Sequence, residues 1–157
     1  MAEAESGPEQ RLADLGLEVP ELAAPLASYV PAAAAGSLVF TAGQLPLRSG
    51  ELIAQGVVGQ AVTPDEAAMC AQQCALNAVA AVKAEIGDLA RVRRVVKVVV
   101  YVASTPAFTG QPQVANGASE LLGAVFGDAG RHARSAVGVV SLPLGAPVEV
   151  ELVVEVA

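Results

Sequence analysis

Residues 92–103 read VRRVVKVVVYVA, a run with no glycine or proline and a valine at most positions. Two heavy atoms on each Cβ make valine stiff at χ1, which disfavours a helix and suits a pleated strand. A strand alternates its side chains between two faces. Alternation here puts Val96, Val98, Val100 and Val102 on one face and Arg93, Val95, Lys97, Val99 and Tyr101 on the other. The tail 147–156, PVEVELVVEV, repeats the pattern with Val148, Val150, Leu152, Val154 and Val156 against Glu149, Glu151, Val153 and Glu155. Strands of this kind need apolar cover on at least one side.

Two helices are available to supply it. Thr63-Pro64-Asp65-Glu66 predicts a helix start, with Thr63 as cap, Pro64 at the first helical position and Glu66 closing a capping box. That helix should run to about Ile86 and stop at Gly87, with Met69, Leu76, Val79, Val82 and Ile86 as its buried stripe. A second helix fits 112–126, with Leu121, Leu122, Val125 and Phe126 apolar. A short helix over 8–16 precedes them, ending at Gly16. Strands are expected over 29–35 and 38–42, weakly up to residue 54, and over 133–141 and 147–156. The last two read as a hairpin joined through Leu142-Pro143-Leu144-Gly145-Ala146. Strand runs with two helices predict an α+β domain, both helices lying on one face of a mixed sheet.

Composition removes whole classes of function. The chain has 157 residues, a length that suits one domain. Its net charge is −7 and it has three Phe, two Tyr and no Trp, so neither a phosphate-tracking nor a base-stacking surface is expected. No nucleic-acid partner is therefore predicted. The acidic N-terminus has no apolar core of a signal peptide, and Val98–Ala103 is too short to span a bilayer. Cys70 and Cys74 fall inside the helical pattern and read as buried small hydrophobes of a reducing, cytoplasmic compartment. His132 is the one histidine, no group of zinc ligands is visible, and neither nucleotide-loop motif occurs. No metal and no cofactor are expected. The basic group Arg91, Arg93, Arg94 and Lys97 reads as a solvated or ion-paired strand start.

What remains is an arginine set among small and apolar residues, HARSAVGVV. In the hairpin reading, Val137 and Val139 join the helix-covered face, while Arg134, Ala136 and Gly138 join Glu149, Glu151 and Glu155 on the other. That second face mixes small residues, valines and charges, as a self-association surface does. The same register sets Arg134 near Glu155 and Glu149 near Val140, about 20 Å apart at ~3.3 Å per residue. Two readings stay open: a cross-strand ion pair of Arg134 with Glu155, or a fork that grips a small carboxylate with room left by Ala136 and Gly138.

The tail HARSAVGVVSLPLGAPVEVEL (132–152) resembles the C-terminal signature of the Rid (YjgF-like, "endoribonuclease L-PSP") family of enamine/imine deaminases. GSLVFTAGQLP (36–46) resembles that family's G-N-x-[IVL]-[FY]-x-S-G-Q-[IVL]-P element, with Tyr29 at the family's preceding tyrosine and Asn116 at its helix asparagine. The resemblance covers about residues 26–157 and leaves 1–25 as an N-terminal extension. It implies a chorismate-mutase-like fold, a homotrimer with sites between subunits, and cofactor-free hydrolysis of 2-imino or enamine acids. Carried over, Arg134 would bind the substrate carboxylate with help from the backbone at Gly43. Glu149 would position water or shuttle a proton, and Tyr29, Asn116 and Ala136 would line the pocket. The chain departs from the family in Ala42 for its serine, Ala136 for its cysteine, and Ser119 or a neighbour for its helix aromatic. A divergent branch, and a non-catalytic carboxylate-binding module as the alternative function, fit those departures.

Overall fold

Alternating valines form strands but do not choose their neighbours, and the neighbours decide the site. The computed structural model describes residues 6–22, 24 and 28–157. Its elements are α1 (Pro8–Asp14), β1 (Ala32–Ala35), β2 (Leu38–Thr41), β3 (Leu47–Arg48), β4 (Glu51–Leu52), α2 (Pro64–Ile86), β5 (Val92–Ala103), α3 (Gln111–Phe126), β6 (Ala133–Val139) and β7 (Val148–Val156). The main sheet runs β1-β2-β7-β5-β6, with β3 and β4 forming a separate small ribbon. It is a mixed sheet, antiparallel except where β6 lies parallel to β5.

The predicted terminal hairpin does not form. β5 lies between β6 and β7, so the two strands run in opposite directions without pairing. The cause is the helix between β5 and β6: a strand, a crossover helix and a strand place the second strand parallel beside the first. The chain then crosses the end of β5 through Leu142–Ala146, where Leu144 takes φ 60° and Gly145 φ 74°.

Both long helices cover one sheet face, as expected. Val148, Val150, Leu152 and Val154 are buried beneath them, with Val98, Val100 and Val102 from β5 and Val39 from β2. Two register shifts interrupt β5, one between Val92 and Arg94 and one between Val95 and Lys97. Each bulge resets the alternation, so Val95 is buried and Val96, expected in the core, is only half-buried.

Helix α2 has the expected capping box: Thr63 N–H donates to Glu66 Oε2 at 2.8 Å and Glu66 N–H to Thr63 Oγ1 at 3.2 Å. Gly87 ends it at φ 84°. Leu76, Val79 and Val82 are buried, but Met69 is 62% exposed. The helix buries a small-residue face instead, with Ala67, Cys70, Ala71, Cys74, Ala75 and Ala78 against α3 and the sheet. Gly117 of α3 packs so closely on the Ala68 backbone that a Cβ at 117 would stand 2.8 Å from the Ala68 carbonyl carbon and 3.2 Å from its Cα. Both cysteines are free and buried, and burial pushes the Cys70 thiol up to about 11. Helix α1 docks on the same domain through fully buried Leu12, an Arg11 bond to Val125 O and a Lys83–Glu9 ion pair at 2.7 Å. No helix of the described residues is long and apolar enough to cross a membrane.

Candidate functional site

Strand β6 carries Arg134 onto the helix-covered side, the reverse of the face read from the sequence. Its β5 partners settle the question: Arg134, Ala136 and Gly138 pair with Val98, Val100 and Val102, all three fully buried under the helices. In-register partners of neighbouring strands share a face. Ala136 packs on the core, and a Cβ at Gly138 would meet Gln111 Nε2 and Ser104 Oγ at 2.9 Å. Val137, expected under the helices, is 44% exposed on the other side. Alternation sorts two faces without saying which is inside, and the one partial cover at this sheet edge is α3.

The Arg134–Glu155 ion pair is absent. Glu155 pairs with Leu38 and Arg94, and no carboxylate lies within ion-pair distance of Arg134 among the described residues. Nη1 of Arg134 donates instead to Asn116 Oδ1 at 2.8 Å and to Ser119 Oγ at 3.2 Å. Asn116 and Ser119 stand one turn apart on α3 and present neighbouring side chains. Both Nη1 protons are thereby used. Nε–H and the Nη2 protons make no hydrogen bond among the described residues. They form the side-on edge of the fork, the edge that accepts a carboxylate bidentately. Asn116, expected to line a pocket, therefore acts on the arginine first.

Glu149 lies on the open face. It pairs with Tyr101 of β5, and Gly43 sits directly against its carboxylate, where a Cβ would come within 2.8 Å of Cδ and closer still to Oε1. The neighbour of Gly43 is fixed by a bridge: Gln44 N–H donates to Val150 O at 2.8 Å and Val150 N–H to Gln44 O at 3.0 Å. Among the described residues Gly43 N–H itself has no partner. Burial, then the negative charge of Glu151, raises the Glu149 carboxyl above its ordinary range. Glu151 accepts the Tyr101 hydroxyl at 2.9 Å. Tyr29 lies in a bend before β1, 48% exposed.

The expected residues thus fall into two groups, Arg134 with Asn116 and Ala136, and Glu149 with Gly43. They occupy opposite faces of one sheet with β5 between them. No small ligand can touch both groups within one chain. Sequence reasoning also passed over Ser119 as a polar contact and His132, whose Nε2 lies 2.8 Å from Ser119 Oγ. Thirteen residues separate that pair, and only the return of the chain from α3 to β6 joins them. Among the described residues no three His, Cys, Asp or Glu side chains are grouped as metal ligands.

Known proteins share this arrangement of strands and helices. Protein TCP17 of Trypanosoma cruzi is 47% identical over 142 residues, spanning 90% of this chain and 89% of that one. The crystal structure of protein Atu1372, of unknown function, from Agrobacterium tumefaciens superposes with a TM-score of 0.90 at 45% identity, covering 96% of this chain and 92% of that one. The YjgF gene product of E. coli gives a TM-score of 0.64 at 26% identity, over 85% and 92% of the two chains. A family model described as "YjgF/chorismate mutase-like, putative endoribonuclease" matches residues 9–156, from within α1 to the last residue of β7. Nearly the whole chain is accounted for by that match, and the protein belongs to the YjgF/chorismate mutase-like family.

Proposed function

We propose that the protein hydrolyses 2-imino and enamine acids to 2-oxo acids and ammonia, at sites completed between copies of the chain in a homotrimer. The observation that carries this reading is the Arg134 fork, held by Asn116 and Ser119 through Nη1, with its Nε–Nη2 edge unbonded and no acidic partner among the described residues. An arginine in that state suits a small carboxylate. The second group, Glu149 beside a Gly43 N–H that has no partner among the described residues, supplies proton transfer. Because the two groups face opposite ways, a second copy must bring Glu149 to the Arg134 of the first. The uncovered sheet face, with Phe40 and Val137 each nearly half exposed, suits contact between copies.

The chemistry asks little of the protein. Water adds to the C=N carbon, and the tetrahedral adduct expels ammonia to leave the oxo acid. An imine is already electrophilic, so positioning and modest acid–base help suffice. Glu149 takes a proton from the attacking water and passes it to the imine nitrogen, then carries the adduct's hydroxyl proton to the same nitrogen as ammonia leaves; an enamine joins this route once its β-carbon is protonated to give the imine. Its raised pKa brings donor and acceptor states closer in energy near neutral pH. Free, buried Cys70 and Cys74 are consistent with a cytoplasmic setting.

A second reading, a carboxylate-binding module without turnover, is favoured by Ala42 and Ala136, which replace the polar serine and cysteine of the family pattern. One experiment separates the two. An amino-acid oxidase generates the imine, and ammonia release is followed with and without the protein. Acceleration that disappears in Arg134→Ala supports the deaminase. Binding of a 2-oxo acid without acceleration supports the module, and equal acceleration in the variant removes Arg134 from the site.

A further inference from the structure

Arg134 is held by a longer chain of groups than the two contacts on its own side chain. Nδ1 of His132 lies 2.6 Å from Gly130 O, and Nε2 lies 2.8 Å from Ser119 Oγ. A carbonyl oxygen only accepts, so Nδ1 carries the proton. In the neutral ring Nε2 is then an acceptor, and the Ser119 hydroxyl must donate to it. That leaves the lone pairs of Ser119 Oγ for Arg134 Nη1, 3.2 Å away. With the ring neutral, every donor and acceptor in the series has one assignment: Arg134 to Ser119, Ser119 to His132, His132 to Gly130. The far end is fixed. Gly130 is buried in the turn after α3, and a Cβ there would stand 2.9 Å from the Leu122 carbonyl carbon and 3.0 Å from Gly123 Cα.

We infer that His132 and Ser119 are positioning residues for Arg134, a hydrogen-bond relay anchored at Gly130 that turns the free edge of the guanidinium toward a carboxylate ligand. The functional half of this rests on the carboxylate reading given above. Asn116 alone would leave the guanidinium able to swing about one bond. The second bond, accepted by a hydroxyl whose own proton is committed to His132, removes that freedom. A ligand meeting a fixed fork avoids the cost of ordering it, which is where preorganisation gains affinity.

One histidine in the whole chain makes the relay directly observable. Ring-¹⁵N NMR of wild-type protein at neutral pH should show His132 as the Nδ1–H tautomer, not the Nε2–H form that free imidazole side chains favour in water. Pyruvate then serves as the carboxylate probe. Ser119→Ala should weaken its binding about tenfold and raise KM for the imine by a similar factor with kcat little changed, while Ser119→Thr, which keeps the hydroxyl, should restore most of the affinity. An Nε2–H ring, or equal pyruvate affinity in wild type and Ser119→Ala, overturns the relay and leaves the deaminase reading standing. Failure of wild-type protein to bind pyruvate or any other 2-oxo acid overturns the carboxylate clamp itself, whatever the tautomer.

Discussion

Replacing Gly43 by alanine should separate catalysis from stability. The backbone there is not left-handed, so an alanine is conformationally allowed. Its Cβ would stand 2.8 Å from Glu149 Cδ and 3.1 Å from Cγ. Carbon atoms settle at about 3.5–4.0 Å, so the carboxyl must retreat by about 1 Å. The obstacle is the end of a flexible side chain, and nothing in the backbone has to move. Lost chain entropy in the unfolded state favours the alanine by about 0.4–1 kcal/mol, which offsets much of the cost of displacing Glu149. The net change should stay within about 1 kcal/mol, or about 2–4 °C in Tm for a domain of this size. Displacing a proton-transfer group by about 1 Å costs on the order of 100-fold in rate. Gly43→Ala should therefore melt close to wild type in differential scanning calorimetry and lose about 100-fold in imine hydrolysis. Full activity would show that the Glu149 carboxylate is not used where the structure places it. A collapse of Tm would show that the contact is not relieved by the side chain.

Four further outcomes follow from particular contacts. Arg134→Lys keeps the charge and loses the planar fork, so it should recover little of the 2-oxo acid affinity lost in Arg134→Ala, as isothermal titration would show. Glu149 has a folded pKa raised by burial and Glu151, so its protonated form is favoured in the folded state; the associated stability is present below the unfolded pKa and is lost as pH rises through the folded one. Glu149→Gln should accordingly raise Tm relative to wild type at neutral pH, with the difference shrinking under acid conditions, and Glu151→Gln should move the acid limb of the wild-type rate profile to lower pH. Gly117→Ala drives a methyl into the Ala68 backbone, 2.8 Å from its carbonyl carbon, which should cost about 2 kcal/mol by overpacking, seen as a lower urea midpoint.

Local chemistry was legible in the residues, and partnership was not. The Thr63–Glu66 box and Gly87 mark α2 to the residue because capping is a contest among neighbours in the chain. The span of β5 was equally plain from its valines. Its two bulges were not, since an extra residue in one strand is defined only against another strand. Met69 fits a helical stripe but is exposed, because α2 packs through alanines and cysteines that allow α3 to approach closely. The face of Arg134 was misread because alternation is symmetric and the parallel partner of β6 depends on a helix returning across the sheet. The Arg134–Ser119–His132 contacts follow from that same return. The residue types proposed for the site were recognisable one by one; their grouping into two opposed halves required the sheet order.

In the proposed site Arg134 of one copy works with Glu149 of another. Subunit mixing tests it directly. Arg134→Ala and Glu149→Gln variants, each inactive alone, are unfolded together in equal amounts and refolded. If sites form between copies of a cyclic trimer, about one quarter of them combine an intact Arg134 with an intact Glu149, and about one quarter of wild-type activity should return. If the mixture stays as inactive as its parts, the two residues do not meet across an interface, and the account of the site is wrong.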